Sequence, residues 1–381
     1  MKILWVTGVK FGKTIHQWGQ LGTAGALQSR GIEVDFLSPI DSDNGTSILR
    51  DFGFGHTRLS GSRIPGLYFF SLNRNIVELL TREVNLSQYD AVISEWQTSL
   101  GVMRAYRKIR QIGKTAPPWI FEDRSPPATS SILSLIQWGQ YRLSWKMAAN
   151  SADSVEVLVP GLENFIRDKY DFKKRIIHCP SGADMTRFTP EKSTSLNDPL
   201  RIVHHGSLDK GRGLGRIIDL GVELERRSIP FEITVFGSGP IQHLFEKESE
   251  KYGWLRFLGK IRFDDVPNEI RRHDIGILPL PKRLPWDVGS PLKAMEYAAS
   301  GLCVLATDVD GSIPFRKFDW FFDAPHADPI EHWINSIIEI RESSIDLRKM
   351  ARMDAEKELS WETATSDLYA ELVRISKLGR K

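Results

Sequence analysis

Residues 289–308 read GSPLKAMEYAASGLCVLATD, and they pass from a tight turn through a helix to a buried strand. Gly289 opens the stretch, and Pro291 suits the first helical position because its missing N–H costs nothing there. Gly301 suits the end of the helix. Residues 303–306 form a short apolar run of the kind found in parallel sheets. The pattern therefore favours an α/β fold.

The start of this helix is a candidate anion site, because a helix N-terminus opened by glycine presents unpaired N–H groups. Glu296 lies less than two turns further along, so an anionic ligand that carries hydroxyl groups would suit both features. An ordinary helix–strand connection with a surface glutamate explains the same spacing equally well. The residues alone leave both interpretations open.

The stretch resembles the SPxKxxEYxAxGxPVxAT block of retaining glycosyltransferases with the GT-B fold, the large family 4 (group 1) of nucleotide-sugar-dependent enzymes. The resemblance implies that Glu296 holds the ribose hydroxyls of the donor and that the backbone amides of residues 290–293 face its diphosphate and sugar. Many relatives carry a second glutamate eight residues earlier. Val288 stands at that position here, and Asp287 beside it is the candidate substitute.

The bulk composition is that of a soluble globular protein: 381 residues, 41% hydrophobic and 26% charged, which favours two domains. The net charge of +3 is uneven, with +6 in residues 1–196 and −3 in the remainder. The basic half fits an anionic acceptor or a membrane surface, and random surface variation explains it as well.

Two cysteines far apart in sequence give no disulfide framework and no zinc spacing, so a reducing compartment is expected. No run of 18 apolar residues predicts a transmembrane helix. The apolar stretch at the N-terminus is too short for a signal sequence and is expected to form the first strand.

The first half alternates strands and helices, the pattern of a parallel sheet covered on both faces. The predicted strands are residues 3–6, 33–37, 89–94, 118–121 and 154–159. The predicted helices are residues 15–29, 73–83, 130–150 and 164–170, and residues 41–66 are predicted to be loop.

A flexible basic loop, residues 8–13, follows the first predicted strand. Ligands of open α/β sheets bind beyond the carboxyl ends of the strands. The loop lacks the ending of a P-loop and the GxGxxG pattern. The family resemblance implies that it approaches the donor diphosphate and the acceptor.

Acidic residues mark the ends of two further strands. Glu95 falls at one end, and Glu122, Asp123 and Arg124 directly follow residues 118–121, at the expected active-site edge. Relatives place a His or Asp here, facing the acceptor, and Asp123 aligns best with an RDxxP-like version. We therefore predict a catalytic Asp123, with Glu95, Glu122 and Arg124 on the acceptor side. An ion pair with Arg124 or a loop cap is the alternative.

Residues 130–150 combine large aromatic and aliphatic side chains with two cations. A helix of this composition can lie on a bilayer. Such a stripe is more often buried in the core, and the resemblance adds weight to membrane contact because many relatives modify lipid-linked acceptors.

The second half restarts the α/β pattern with a strand at residues 201–205. Glycines and cations follow it at residues 206–214, where backbone N–H groups, a helix dipole and point charges suit a phosphate. The segment resembles the family's GRxxxxKG, with Ser207 in place of the arginine and Arg212 in place of the lysine. Lys210 is a second candidate. An arginine can grip a phosphate bidentately, and a solvated basic loop is the alternative.

Further family-like motifs are the GSGP turn at residues 237–240, WLRFLGKI at 254–261 and the segment at 265–279. A segment at residues 176–190 resembles the family's interdomain connection, with Ser181 in place of its asparagine. The donor-binding residues that the resemblance implies are Gly8, Gly12, Gly206, Ser207, Gly237, Gly239, Lys260, Ile261, Asp287, Gly289, Ser290, Pro291, Leu292, Lys293 and Glu296.

The resemblance implies a GT-B architecture, two Rossmann-like parallel-sheet domains facing each other across a cleft. Residues 1–192 would bind the acceptor and residues 198–358 the nucleotide sugar. Residues 193–199 would link the two, and a helix at about 361–381 would pack back on the first domain.

The predicted function is that of a hexosyltransferase, which moves a sugar from a nucleotide-diphosphate donor to a hydroxyl of a glycan, lipid-linked or small-molecule acceptor and retains the anomeric configuration. Arg212 and Lys210 would stabilise the leaving diphosphate. No metal and no cofactor are expected, because no carboxylate pair has metal spacing. The expected setting is polysaccharide or glycoconjugate biosynthesis in the cytoplasm, with peripheral membrane contact and no nucleic-acid partner.

Two alternatives remain. A non-catalytic nucleotide-sugar-binding or scaffold protein of the same fold would account for Val288 and Ser207. An NAD-dependent oxidoreductase with two domains is the other alternative, and the missing GxGxxG argues against it.

Overall fold

The computed structural model describes residues 1–12, 17–40, 43–62, 64, 67–128, 133–192 and 195–377. The chain forms two compact units, one made of Met1–Pro180 with Ala364–Lys381 and the other of Ser181–Thr363. The parts of the predictions above that lie outside the described residues are residues 13–16, 41–42, 63, 65–66, 129–132, 193–194 and 378–381.

The first unit is built on a seven-stranded parallel sheet in the order β3-β2-β1-β4-β5-β6-β7. Its strands are β1 (Lys2–Val6), β2 (Glu33–Ser38), β3 (Gly55–Arg58), β4 (Ala91–Glu95), β5 (Trp119–Asp123), β6 (Ser154–Val157) and β7 (Ile176–His178). The helices between them are α1 (Gln17–Ser29), α2 (Asp43–Asp51), α3 (Tyr68–Arg82), α4 (Ser99–Gln111), α5 (Leu133–Leu143) and α6 (Pro160–Tyr170).

The predicted strands of this half are confirmed to within two residues at each end, but the loop predicted for residues 41–66 is wrong. It contains α2 and β3. Glycine, asparagine and threonine give α2 a weak helical preference, and the burial of Leu49 in the core compensates for it. β3 carries no large apolar residue, and backbone pairing to β2 holds it at the edge of the sheet.

The second unit is built on a six-stranded sheet in the order β10-β9-β8-β11-β12-β13, again with parallel neighbours. Its strands are β8 (Leu200–Ser207), β9 (Phe231–Ser238), β10 (Leu255–Phe257), β11 (Ile275–Leu278), β12 (Cys303–Thr307) and β13 (Phe321–Ala324). The helices that follow in the chain are α7 (Gly215–Arg226), α8 (Gln242–Lys251), α9 (Val266–Ile270), α10 (Leu292–Ala299), α11 (Ile330–Glu342), α12 (Leu347–Glu358), α13 (Trp361–Ala364) and α14 (Ser366–Ser376).

The strand order reverses at one point in each sheet, between β1 and β4 in the first unit and between β8 and β11 in the second. Ligands of open α/β sheets bind beyond the carboxyl ends of the strands at this point. The two fold units therefore each offer one place where a site is expected.

The division between the units falls after Pro180, so the polar segment predicted as the linker lies inside the second unit. Asp274, which immediately precedes β11, fixes this segment. Its carboxylate accepts hydrogen bonds from the backbone N–H of Asn197 (3.2 Å) and of Arg201 (2.9 Å). A buried carboxylate thus anchors Asn197 of this segment and the start of β8.

Helix α14 belongs to the first unit although it follows the whole second unit in the chain. Leu368, Leu372 and Ile375 are fully buried in the same core cluster as Ile3 and Ile93. The first unit is therefore completed by two distant parts of the chain.

Candidate functional site

Glycines let the carboxyl ends of β8 and β9 touch in the second unit. Gly206 and Gly237 face each other across the two strands, with φ angles of 110° and 141°. A Cβ on Gly237 would lie 1.8 Å from the Gly206 carbonyl oxygen, and one on Gly239 would lie 2.5 Å from that of Leu208. These strand-end glycines (Gly206, Gly237 and Gly239) lack the side chains that would force the neighbouring groups apart, so the chain packs closely at this edge of the sheet.

Helix α10 begins at the same edge of the sheet. Pro291 is its N-cap and Leu292 its first residue, so the predicted placement of Pro291 inside the helix is wrong by one position. The Ser290 hydroxyl accepts a hydrogen bond from the Ser181 N–H at 3.0 Å, which fixes the turn before the helix. Gly301 follows the helix with φ 71°, the left-handed conformation that commonly ends a helix.

Lys293, in the first turn of α10, lies against the strand-end glycines. A Cβ on Gly206 would come within 2.8 Å of the Lys293 Cε, so the absent side chain makes room for the lysine. Burial and the neighbouring charge of Arg212 lower the pKa of Lys293 to about 7. The two cations are therefore close enough to repel each other, and an anion bound beside them would relieve that repulsion.

The loop after β8 holds Arg212 through an acidic residue. Arg212 Nε donates to Asp209 Oδ2 at 3.4 Å, and the Ser207 hydroxyl donates to the same oxygen at 2.5 Å. Lys210, between them in sequence, is exposed. Arg212 thus has a fixed position, and Ser207 bonds within the loop.

Glu296 lies one turn after Lys293, and its side chain is 14% exposed. One of its oxygens, Oε2, lies 3.0 Å from Nε2 of His205, the residue that precedes Gly206 in β8. The carboxylate therefore stands at the strand end beside the cations and the strand-end glycines. Anion-binding groups and a hydroxyl-binding group are brought together in one unit.

The residues before α10 bond to a neighbouring segment. Asp287 Oδ1 accepts the N–H of Asp310 at 3.0 Å, and its carbonyl accepts that of Gly311 at 2.7 Å. Val288 is buried. A Cβ on Gly311 would lie 1.9 Å from the Gly289 carbonyl oxygen, so these backbones pack directly. The carboxylate of Asp287 holds this segment in place.

The segment after β10 reaches the same edge of the sheet. Gly237 N–H donates to the Gly259 carbonyl at 2.8 Å. Lys260 follows as an exposed residue and Ile261 as a half-buried one. Lys260 directly follows Gly259, whose carbonyl bonds to a strand-end glycine, and Ile261 comes one residue later.

Three glutamates lie side by side in the first unit. Glu95 of β4 is paired in register with Glu122 of β5, which is paired with Glu156 of β6. All three are buried, and this burial raises their pKa values. Arg124 Nη1 donates to Glu122 Oε1 at 2.9 Å, and Cys179 interacts with Glu156. This glutamate row (Glu95, Glu122 and Glu156) is buried near the carboxyl ends of β4, β5 and β6.

The loop after β1 bonds to the glutamate row. The Thr7 hydroxyl donates to Glu95 Oε1 at 2.9 Å, and the Gly8 N–H lies 3.4 Å from Glu95 Oε2. Gly12 N–H donates to Gln17 Oε1 at 2.7 Å. Gly8 therefore lies beside Glu95, and Gly12 contacts the first residue of α1.

Asp123 is the last residue of β5, so its predicted place after the strand is wrong. The strand continues because Glu122 and Asp123 pair with β6. Asp123 is fully buried. Its Oδ2 accepts the Tyr141 hydroxyl at 2.5 Å and Trp145 Nε1 at 2.9 Å, and its Oδ1 accepts the Ser125 N–H at 3.1 Å. The carboxylate faces the interior, where it fixes α5 and the helical turns that follow.

Three residues of these sites were not predicted: His205, Tyr297 as its partner, and Glu156. A usable signal existed for Glu156, because three consecutive buried strands each carry a glutamate. The role of His205 depends on a contact between β8 and α10, which are about ninety residues apart in the chain. No local pattern indicates that contact.

Two further searches concern only the described part of the chain. It holds no group of three or more His, Cys, Asp or Glu placed to bind a metal ion. None of its helices is long and apolar enough to span a bilayer.

The second of the two Rossmann-like units thus brings two basic side chains, a helix N-terminus and a carboxylate together at one sheet edge. Residues 199–339 match the family model of glycosyl transferases group 1. WcaL of Escherichia coli (strain K12), named as a colanic acid biosynthesis glycosyltransferase, is 26% identical over 139 residues. That match covers 35% of this chain and only about a third (34%) of WcaL.

Solved structures are similar over nearly the whole chain. Sucrose-phosphate synthase from Thermosynechococcus elongatus has a TM-score of 0.70 and 17% identity, covering 100% of this chain and 98% of that one. Anabaena Alr3699/HepE in complex with UDP has a TM-score of 0.72 and 14% identity, covering 98% and 100%. The fold class is GT-B, with two Rossmann-like parallel-sheet units.

Proposed function

We propose that this protein is a hexosyltransferase that moves a sugar from a nucleotide-diphosphate donor to an acceptor hydroxyl, with retention of configuration and without a metal ion. The observation that carries the proposal is the grouping of Lys293, Arg212 and Glu296 around the strand-end glycines. The family match of this unit and the UDP in the complex of its structural neighbour support the donor class.

In the proposed reaction, the bond between the sugar's anomeric carbon and the leaving phosphate oxygen breaks. The acceptor hydroxyl oxygen bonds to the same face of that carbon, and its proton passes to the leaving phosphate. Lys293, Arg212 and the N–H groups at the start of α10 stabilise the negative charge that develops on the diphosphate. Lys210 is exposed in the same loop and can add a third cation. Glu296 accepts hydrogen bonds from the ribose hydroxyls.

On the acceptor side, we propose a role for Arg124, whose side chain is partly exposed beside the glutamate row. The burial of Asp123 supports a positioning role for that residue, through α5, in place of the predicted contact with the acceptor. The free, buried state of both cysteines fits a reducing compartment such as the cytoplasm.

The deciding experiment combines a donor screen with one variant. We expect UDP- or GDP-sugars to raise the thermal unfolding temperature, because a ligand that binds only the folded state stabilises it. Glu296→Ala should weaken donor binding roughly 10- to 100-fold, since hydrogen bonds to a charged group contribute about 1.5–3 kcal/mol. Glu339→Ala, an exposed glutamate of α11, is the matched control.

Transfer should survive EDTA unchanged. Strict dependence on magnesium would contradict the metal-free mechanism, and the absence of any donor binding would contradict the proposed function as a whole. Donor binding without transfer or slow hydrolysis would instead favour a non-catalytic binding protein. The hydrogen bond of Asp287 to Asp310 favours that second candidate, because the substitute carboxylate bonds within the protein.

We also propose that the exposed face of α5 and the following turn rests on an anionic lipid surface, where a lipid-linked acceptor would be found. Leu135 is 72% exposed, and Leu143 and Met147 are exposed beside the cations Arg142 and Lys146. Residues 133–150 contain no Asp or Glu. Apolar side chains flanked by cations are the pattern of helices that lie in a bilayer interface.

Vesicle flotation tests this contact. Wild-type protein should float with phosphatidylglycerol vesicles, less with pure phosphatidylcholine vesicles, and less at high salt. The double variant Leu135→Ser, Leu143→Ser should remain unbound, whereas Ile338→Ser on α11 should behave as wild type. Equal flotation of wild type and the double variant would contradict the contact.

A further inference from the structure

A chain of hydrogen bonds leads from the backbone of β8 to the carboxylate of Glu296. His205 N–H lies 3.3 Å from the Tyr297 hydroxyl oxygen, and the same oxygen lies 3.1 Å from His205 Nδ1. His205 Nε2 lies 3.0 Å from Glu296 Oε2. His205 and Tyr297 are buried, so water does not compete for these bonds.

The available donors fix the direction of every bond in this chain. The backbone N–H of His205 can only donate, so the Tyr297 oxygen accepts it. The Glu296 carboxylate can only accept, so His205 Nε2 donates to it, and the Nδ1 of a neutral ring is left to accept the Tyr297 proton. Burial lowers the pKa of His205, which keeps the imidazole neutral. A neutral ring that accepts at Nδ1 carries its proton on Nε2 and donates it to Glu296.

Packing holds the rings that form this chain. The His205 ring stacks on Phe236 with centroids 5.5 Å apart, and the Tyr297 ring meets it edge-on at 5.3 Å. Gly276 of β11 makes room for Tyr297, because a Cβ there would lie 2.1 Å from the tyrosine ring. The arrangement is therefore fixed by three strands and one helix of a single unit.

The hydrogen-bond chain restricts the conformations of the Glu296 side chain. A glutamate on a helix surface samples several rotamers, and ordering it when a ligand binds costs side-chain entropy. Here one oxygen is held by His205, and 14% of the side chain remains exposed, so the carboxylate can still accept hydrogen bonds from a ligand. Groups that orient a binding residue in this way reduce the ordering cost of binding.

We propose that His205 and Tyr297 are positioning residues that hold the Glu296 carboxylate in place for the two ribose hydroxyls of the donor. This inference rests on the proposed function, since it concerns the same donor site. Neither residue touches the sugar nucleotide. Each acts through the orientation of Glu296.

The test measures the affinity of UDP and GDP, each beside its 2′,3′-dideoxy counterpart, which lacks the hydroxyls that Glu296 would bind. His205→Phe keeps the stacked ring and removes both nitrogens. It should weaken binding of the ribonucleotide about tenfold and leave the dideoxynucleotide unchanged. His205→Gln, whose amide can still donate to Glu296, should retain affinity within about threefold. Tyr297→Phe should weaken ribonucleotide binding too, without adding to the effect of His205→Phe.

Equal losses for both nucleotides would show a general structural defect and would overturn the proposal, as would unchanged ribonucleotide affinity in His205→Phe. The ring ¹⁵N shifts of His205 in the ligand-free protein give an independent check. They should report the Nε2–H tautomer, and an Nδ1–H tautomer would overturn the proposal. If wild type binds neither UDP nor GDP, the proposed function fails while the tautomer result still decides whether the hydrogen-bond chain exists.

Discussion

At the scale of single residues, Asp123 carries the clearest dependence on pH. Burial raises its pKa from 3.8 to about 7, against three hydrogen bonds that favour the charged form. Because the native state binds this proton more tightly than the unfolded chain, the group's stabilising contribution is fully present below about pH 4. It is lost as the pH rises toward 7.

Asp123→Asn removes this dependence. The unfolding free energy of wild type, measured relative to the variant, should fall by about 1.4 kcal/mol per pH unit at most between pH 4 and 7. Urea unfolding of both proteins at several pH values measures it, and the titration of the glutamate row cancels in the comparison. A difference that does not change with pH would contradict the prediction.

Gly237 shows a steric requirement at the donor site. In Gly237→Ala the new Cβ would meet the Gly206 carbonyl oxygen at 1.8 Å, at a φ of 141° that other residues rarely adopt. The strand ends must separate, so we expect a loss of about 2 kcal/mol or more in unfolding free energy and a loss of nucleotide binding.

The control for this variant is Gly215→Ala in α7. Nothing lies within 4 Å of a Cβ at that position, so its unfolding free energy should equal or exceed that of wild type. Equal stability of the two variants would show that β8 and β9 can separate without cost.

At the scale of elements, α12 is held by one buried ion pair. Arg348 Nη1 donates to Asp274 Oδ1 at 2.8 Å, and Arg348 Nε donates to the Gly301 carbonyl at 2.8 Å. Both charged side chains are almost completely buried. The pair connects α12 to the end of α10 and to the start of β11.

Arg348→Met should lower the unfolding free energy by about 3–5 kcal/mol, because it leaves a buried charge without its partner. Adding Asp274→Asn should restore part of that loss, since the unpaired charge is then removed. Chemical denaturation of the two single variants and the double variant measures the coupling. A double variant as unstable as the sum of the singles would contradict it.

The elements also show what the sequence could reveal. β1, β2, β4 and β5 were predictable because each carries three or four apolar residues within a segment of five or six, which indicates a buried parallel strand. α2 and β3 were not, since their stability comes from Leu49 in the core and from backbone pairing to β2. α2 carries only two apolar residues, Ile48 and Leu49, and β3 carries no large one.

Some residues of the proposed donor site could likewise be predicted from the sequence, and others could not. Lys293, Glu296 and the strand-end glycines follow from motifs that are local in sequence. The chain from His205 through Tyr297 requires β8 and α10 to meet, which only the folded unit shows. Asp123 was misplaced because the sequence does not show where β5 ends. The strand runs two residues beyond its predicted end, so Asp123 is buried in the strand and does not belong to the following loop.

At the scale of the whole molecule, the first unit depends on a helix from the far end of the chain. Ending the chain at Thr365 removes α14 and exposes the core that Leu368, Leu372 and Ile375 cover. We expect a loss on the order of 5 kcal/mol from burial of three such side chains, concentrated in the first unit.

Hydrogen exchange checks this expectation. Amides of β1 and β4 should lose protection in the shortened chain, and to a lesser degree in Leu372→Ala, while Asp367→Ala at an exposed position of α14 should leave them unchanged. Protection of β1 and β4 that survives the removal of α14 would contradict it.

The distant origin of α14 also affects the order of events on the ribosome. Translation supplies roughly 5–20 residues per second, so synthesis of Ser181–Thr363 occupies roughly 10 to 40 s. For that interval the nascent first unit waits with an apolar seam open to solvent, available to chaperones or to neighbouring chains. Its partner unit can fold as soon as its own residues emerge, so the part of the protein made first is finished last.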